Sequence, residues 1–75
     1  MPISLSFARP GRYRFVGVWG GGRGVWMRLQ SLGIMPGDII EVIKSSPGPV
    51  VIAKGNTRIG LGVGMARKIL VEPVR

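Results

Sequence analysis

The stretch VWMRLQSLGIMPGD, Val25–Asp38, carries the most specific structural signals in the chain. Its apolar side chains recur at helical spacing and form one stripe: Val25, Leu29 and Leu32, with Trp26 beside them. The stretch therefore predicts a short helix over Val25–Leu32 that packs its apolar stripe against a core.

Two turn signals end this helix. Gly33 suits the left-handed position that follows a helix, and Ile34 can then pack back on Leu29, as in a Schellman motif. In the MPGD segment that follows, proline and glycine occupy the positions that a type II turn requires. The chain should therefore leave the helix and enter a strand at about Asp38.

Strand patterns lie on both sides of the helix. The predicted strands are Arg12–Val18, Asp38–Lys44, Val50–Lys54, Thr57–Leu61 and a last strand, ILVEP, with Ile69 and Val71 on one face. Gly55 and Asn56 predict a two-residue type II′ hairpin turn, and Ser45–Pro49 predicts a loop. Short strands separated by glycine and proline turns favour a mainly β fold with short helices, as a small barrel or sandwich.

In two segments the sequence pattern does not determine the secondary structure clearly. Residues 1–10 alternate apolar residues with serine, which fits a strand or a frayed terminus. The GVGMARK segment predicts one helical turn at about Met65–Lys68.

Composition limits the chemistry available to this chain. With 75 residues it is expected to form a single domain, 1–75, and it contains no cysteine, no histidine and only three acidic residues. Disulfides and zinc sites built on thiolate or imidazole are excluded, and a carboxylate cage for calcium or magnesium is not expected. No histidine base, cysteine nucleophile or serine with a partner base is present. The sequence therefore predicts a binding module without catalytic residues, metal site or cofactor.

The charge is strongly positive. Eleven basic residues against three acidic residues give a net charge of +8. Such a balance favours nucleic acid, an anionic lipid surface or an acidic protein face as partner, although scattered charges are often only solvated. No apolar run approaches the length of about 18 residues that a membrane span needs. A cytoplasmic location is expected, with a peripheral position at the inner face of the membrane as an open alternative.

The glycine triplet Gly20–Gly22, between Trp19 and Trp26, raises the question of phosphate binding. A P-loop would continue with lysine and serine or threonine, but Val25 and Trp26 follow instead. A dinucleotide-binding fingerprint would need glycine at position 25. The triplet therefore predicts a tight corner between the first strand and the helix, where a partner could approach the backbone closely.

Three side chains near this corner are the predicted partner contacts: Trp19, Arg23 and Arg28. Tryptophan is enriched at binding hot spots, and Trp19 stands at a strand end beside the glycines, although it could also cap a small core. Trp26 is assigned to the core because it joins the helical stripe. Arginines spread along the chain become an anion-binding patch only if the fold clusters them: Arg12, Arg14, Arg23, Arg28, Arg58 and Arg67.

Over about Phe7–Val74 the chain resembles the FeoA family, the ferrous-iron transport protein A domains. The family pattern has a glycine-rich corner, then Arg-Leu-x-x-Leu-Gly-Ile/Leu-x-Pro-Gly, an Ile/Val-rich strand, a Gly-Pro loop, a hairpin, and Ala before Ile-x-Val. The matching residues here are Arg28, Leu29, Leu32, Gly33, Ile34, Pro36, Gly37, Gly48, Pro49, Ala66, Ile69 and Val71. The chain departs from the pattern at Gly62–Gly64, where a more helical stretch is usual, which leaves the length of the second helix open.

The resemblance implies a five- or six-stranded SH3-like β-barrel with short helices. It also implies a small cytoplasmic accessory protein of bacterial ferrous-iron uptake, whose partner is the FeoB membrane permease with its cytoplasmic GTP-binding domain. An alternative function is a basic small barrel that binds nucleic acid. The residues disfavour that alternative, because no three of the five aromatic residues alternate along one strand as a stacking platform.

Overall fold

The computed structural model describes residues 1–20, 22–45 and 47–74. Gly21 of the predicted corner and Ser46 of the predicted loop lie outside the described residues. The elements in the described part are β1 (Ile3–Ser4), β2 (Gly11–Val18), α1 (Arg23–Ser31), β3 (Ile39–Lys44), β4 (Val50–Lys54), β5 (Thr57–Leu61), α2 (Val63–Ala66) and β6 (Ile69–Pro73). The prediction of a mainly β fold with short helices is confirmed.

The strands form one antiparallel sheet in the order β1-β6-β2-β3-β4-β5. A flat sheet layer would be about 10 Å thick. The molecule instead measures 27 × 25 × 24 Å, and all its buried apolar side chains form a single cluster. The sheet therefore curls around one core as a small barrel.

Strand β2 lies in the middle of the sheet and shows how sequence alternation sets the two faces. Tyr13 and Phe15 are buried, whereas Arg12 and Arg14 are exposed on the other face. The strand pairs with β3 and β6, and a register shift follows Phe15. This shift bends the end of β2, which leads to the corner before α1.

Helix α1 begins two residues earlier than predicted but buries the expected stripe. Val25 and Leu29 are buried, and Trp26 and Leu32 pack against the core. The rings of Trp26 and Phe15 meet edge to face, with their centroids 5.7 Å apart. The assignment of Trp26 to the core is confirmed.

The end of α1 has both hydrogen bonds of a Schellman motif. Gly33 has a φ of +79° and its N–H donates to the Gln30 carbonyl at 3.0 Å, while the Ile34 N–H donates to the Leu29 carbonyl at 2.9 Å. The predicted type II turn follows, with a φ of +96° at Gly37. Local turn chemistry thus carries the chain from α1 directly into β3.

The hairpin between β4 and β5 is also as predicted. Gly55 has a φ of +58°, and Asn56 has no positive φ, which is the pattern of a type II′ turn. Lys54 and Thr57 flank the turn in register.

The helical turn after β5 lies earlier than predicted, and the structure decides between the two alternatives left open at the N-terminus. The helical turn covers Val63–Ala66 rather than Met65–Lys68, because the first α-helical bond runs from the Ala66 N–H to the Gly62 carbonyl and Ala66 must turn into the core. Near the N-terminus, strand structure stops at Ser4, whose Oγ accepts a hydrogen bond from the Ser6 N–H and starts a 3-10 turn. The alternation therefore breaks down, and Phe7 is 80% exposed.

Candidate partner-binding groove

The candidate site lies where the end of β2, the start of α1 and the α2 segment meet. The Trp19 N–H donates to the Lys68 carbonyl at 2.7 Å, which joins the end of β2 to the chain that follows α2. This bond continues the β2–β6 pairing, in which Val18 stands opposite Ile69. Residues about fifty positions apart in sequence are thereby brought side by side.

Two glycines shape the corner after Trp19. Gly20 has a φ of +68°, a conformation that side chains disfavour. Gly22 is buried, and a Cβ there would lie 2.0 Å from Cγ1 of Val18. The Gly22 carbonyl accepts the first hydrogen bond of α1, from the Trp26 N–H at 2.8 Å. The two glycines therefore allow the chain to turn tightly between β2 and α1. This supports the interpretation of the segment as a corner of the backbone.

Beside this corner lies an open groove of about 590 Å³, which we name the Trp19 groove. Its lining residues are Trp19, Val25, Gly64, Met65, Arg67 and Lys68. The Trp19 side chain is 68% exposed, whereas Val25 is buried in the core cluster and Met65 packs against it. The groove therefore has an apolar floor and one large aromatic wall that is open to solvent.

The charged side chains at the groove are all basic. Arg67 and Lys68 are exposed in its lining, and Arg23 is exposed at the first residue of α1, whose first turn contains no acidic residue. The helix dipole adds further positive potential at that end.

The three acidic residues of the chain lie elsewhere. Glu41 of β3 stands opposite Arg12 of β2, and Glu72 of β6 stands opposite Arg14 of β2. Asp38 forms an ion pair with Lys54. Arg14 is five residues before Trp19 along an extended strand, so Glu72 lies roughly 15 Å from the groove end of the sheet. The potential at the groove is therefore positive without compensation from nearby carboxylates.

The structure separates the three predicted contact residues. Trp19 lies in the groove, Arg23 is exposed at the start of α1 without lining the groove, and Arg28 is exposed in the last turn of α1. Five residues of helix separate the two arginines by about 7.5 Å along the axis and about 140° around it, so they face different sides. Arg28 does not line the groove, and the binding roles of all three residues stay predictions.

Sequence reasoning missed Met65 and Lys68 as site residues and named Arg67 only as one scattered arginine. Their signal in the sequence is weak, because GVGMARK reads as an isolated helical turn. They become wall residues only through the pairing of β6 with β2. No local pattern reports that pairing.

One ordered polar cluster is found away from the groove. Asp38 Oδ2 accepts hydrogen bonds from Lys54 Nζ at 2.7 Å and from the Met35 N–H at 2.8 Å, and Lys54 Nζ also donates to the Gly33 carbonyl. The hydrogen bond from Lys54, then that from Met35, lowers the pKa of the Asp38 carboxyl from its ordinary value. The cluster fastens the turn after α1 to β4.

Within residues 1–20, 22–45 and 47–74, no three histidine, cysteine or acidic side chains are grouped as metal ligands would be. Neither α1 nor α2 has the length and apolar character needed to cross a membrane.

Comparison with known proteins identifies the family of this chain. The FeoA domain family model matches residues 3–73. An Fe(2+) transport protein A of Methanocaldococcus jannaschii is 40% identical over 68 residues, which cover 91% of this chain and 83% of that protein. The crystal structure of an iron uptake regulatory protein, FeoA, is similar with a TM-score of 0.82 at 35% identity, covering 96% of this chain and 97% of that one.

A more distant structure confirms the fold type. The zinc complex of FeoA from Stenotrophomonas maltophilia, described as a procaryotic SH3 domain protein, has a TM-score of 0.75 at 21% identity. The similarity covers 93% of this chain and 89% of that chain. The prediction of an SH3-like β-barrel is confirmed.

Proposed function

This chain belongs to the FeoA family of ferrous-iron transport accessory proteins, and from that premise we propose that it is a non-catalytic module that binds and regulates a FeoB-type membrane permease. The proposal includes a cytoplasmic location, beside the GTP-binding domain of that permease. The observation that carries it is the Trp19 groove, where an exposed tryptophan stands beside side chains of the core.

The side-chain inventory supports a binding role over a catalytic role. The chain has no histidine and no cysteine, and none of the residues that the structure describes is a buried charged side chain. A hydrogen bond from Lys54 lowers the pKa of the Asp38 carboxyl, which makes Asp38 a poor general acid or base at neutral pH. What the surface offers instead is an aromatic contact residue with cations beside it.

The nucleic-acid alternative receives less support from the surface. Tyr13 and Phe15 are buried and Trp26 packs against the core, which leaves Trp19 and Phe7 as the exposed aromatic residues. A row of stacking bases needs several neighbouring aromatic faces. The net charge of +8 alone accounts for weak, salt-sensitive attraction to any polyanion.

The test is capture of the partner from solubilised membranes of the source organism. The tagged chain is used as bait, with nuclease treatment and washes at low and high salt. We expect a large membrane GTPase to be retained after nuclease treatment. Retention of nucleic acid alone, lost after nuclease, would contradict the proposal and favour the alternative.

A further inference from the structure

We propose that the Trp19 groove binds an acidic peptide segment that carries an apolar anchor side chain. The inference rests on the proposed function, because it gives the chemistry of the partner surface that would dock there. It makes a separate claim about which surface of this chain is used and about the charge of the bound segment.

The shape and exposure of the groove favour an apolar anchor side chain. Trp19 is 68% exposed and Val63, next to the groove lining, is 42% exposed. Exposed tryptophan is unfavourable in water and typical of binding hot spots. A volume of about 590 Å³ lies within the range of small-ligand pockets, so the groove can receive one or two apolar side chains.

The charges around the groove favour an acidic segment. Arg67 and Lys68 line the groove, and the acidic residues of the chain are placed elsewhere on the sheet or paired with Lys54. A basic segment would meet only like charges here. An acidic segment would gain attraction at its charged residues while its apolar anchor fills the groove.

The form of the groove favours a peptide over a lipid surface or a nucleic acid. Val25, which lines the groove, belongs to the buried core cluster, so a protruding apolar side chain can pack against it more fully than a flat headgroup layer can. A single aromatic wall, Trp19, provides an anchor contact but no stacking row. A peptide with one apolar side chain among carboxylates matches both features.

Gly64 provides a way to fill the groove without changing its charge. It lines the groove and lies in α2 without a positive φ, and a Cβ there would meet nothing within 4 Å, so a side chain is accommodated without a clash. Gly64→Leu should therefore fold and occlude the site. Gly60→Leu is the matched control, because Gly60 is exposed on β5, has equally open space and does not line the groove.

The first test uses three synthetic peptides and nitrogen-15 NMR spectra of the full chain. The probe is a twelve-residue peptide of glutamates with one central leucine; the controls replace the glutamates by lysine or the leucine by glycine. We expect the acidic leucine peptide to shift the Trp19 indole and residues 64–68. Both control peptides should bind at least about tenfold more weakly.

Variants of the chain then test whether the groove residues bind the acidic peptide. Gly64→Leu and the double variant Arg67→Glu/Lys68→Glu should each weaken the acidic peptide by about tenfold or more. Two control variants, Gly60→Leu and Lys44→Glu/Arg58→Glu, should lose far less affinity for the acidic peptide. The double control makes the same charge change at exposed sites outside the groove. The inference would be overturned by equal losses of peptide affinity in the two double variants. It would also be overturned if the peptide changed the NMR signals of another surface alone.

Two further arms test the competing occupants. Phosphatidylglycerol vesicles and single-stranded RNA are added to the same labelled chain. Shifts of Trp19 and residues 64–68 caused by vesicles or RNA, in the absence of any response to the acidic leucine peptide, would overturn the peptide assignment.

The outcomes separate this inference from the proposed function. If the wild-type chain captures the permease and Gly64→Leu captures it equally well, the permease proposal stands and the groove assignment fails. If no permease is captured but the acidic peptide binds at Trp19, the groove assignment stands and the permease proposal fails.

Discussion

Gly22 lies directly against Val18 at the corner between β2 and α1, so that a Cβ on Gly22 would stand 2.0 Å from Val18 Cγ1. The two residues face each other because the chain reverses within a few residues after Trp19. This contact fixes where α1 begins and, with it, where Val25 enters the floor of the groove.

The first prediction follows from that contact. Gly22→Ala should lower the free energy of unfolding by about 1–3 kcal/mol, because the added methyl group overpacks the corner. Urea unfolding monitored by circular dichroism measures the change. Gly24→Ala is the control, since Gly24 lies in α1 with open space around its Cα and should be neutral or up to about 1 kcal/mol more stable. A Gly22→Ala variant as stable as wild type would contradict the overpacked corner.

The end of α1 gives a second prediction. Gly33→Ala should destabilise the fold by about 1–2 kcal/mol, because the Schellman motif holds Gly33 at a φ of +79°. Gly33→Asn should lose less stability than Gly33→Ala, because asparagine tolerates the left-handed region better than alanine. Equal stability of the alanine and glycine forms would show that the left-handed conformation is not maintained in solution.

The apolar stripe of α1 gives a third prediction. Leu29→Ala should cost about 2–5 kcal/mol, because Leu29 is 1% exposed and its removal leaves a cavity in the core. Met27→Ala, on the same helix but 62% exposed, should stay within about 0.5 kcal/mol of wild type. Comparable losses in the two variants would contradict the assignment of the faces of α1.

The Asp38–Lys54 cluster gives a pH prediction. The hydrogen bond from Lys54 lowers the folded-state pKa of Asp38, so the charged carboxylate favours the folded chain. Its stabilisation is fully present above the unfolded pKa of about 3.9 and disappears as pH falls through the lower folded-state pKa.

Urea unfolding at neutral pH and at acid pH checks this. The stability difference between wild type and Asp38→Asn should shrink as pH falls below about 3.9. In Lys54→Met, carbon-13 NMR titration should show the Asp38 pKa returning toward its ordinary value. A stability difference that stays constant across this acid range would rule out the linkage.

Sequence patterns predicted those parts of the fold that depend on residues within one turn of each other. The Schellman end at Gly33, the type II′ turn at Gly55 and the alternation around Phe15 were all confirmed. Each of these features depends on the backbone preference of a residue or on the alternation of apolar and polar residues, and both can be read from neighbouring residues in the sequence.

The remaining features depend on tertiary contacts. Helix α2 was predicted two residues too late, because the burial of Ala66 decides where the turn forms. The groove itself was not predicted, since Trp19 and Met65 become neighbours only when β2 pairs with β6. An exposed tryptophan could be proposed from the sequence, but the wall opposite it could not.

The most direct test of the central claim is uptake of radioactive ferrous iron by cells that lack this gene. Cells complemented with wild type or Gly60→Leu should regain uptake. Cells with Gly64→Leu, once shown to accumulate as folded protein, should stay close to the deletion strain. Ferrous-iron uptake that is unchanged by deletion of the gene would contradict the account.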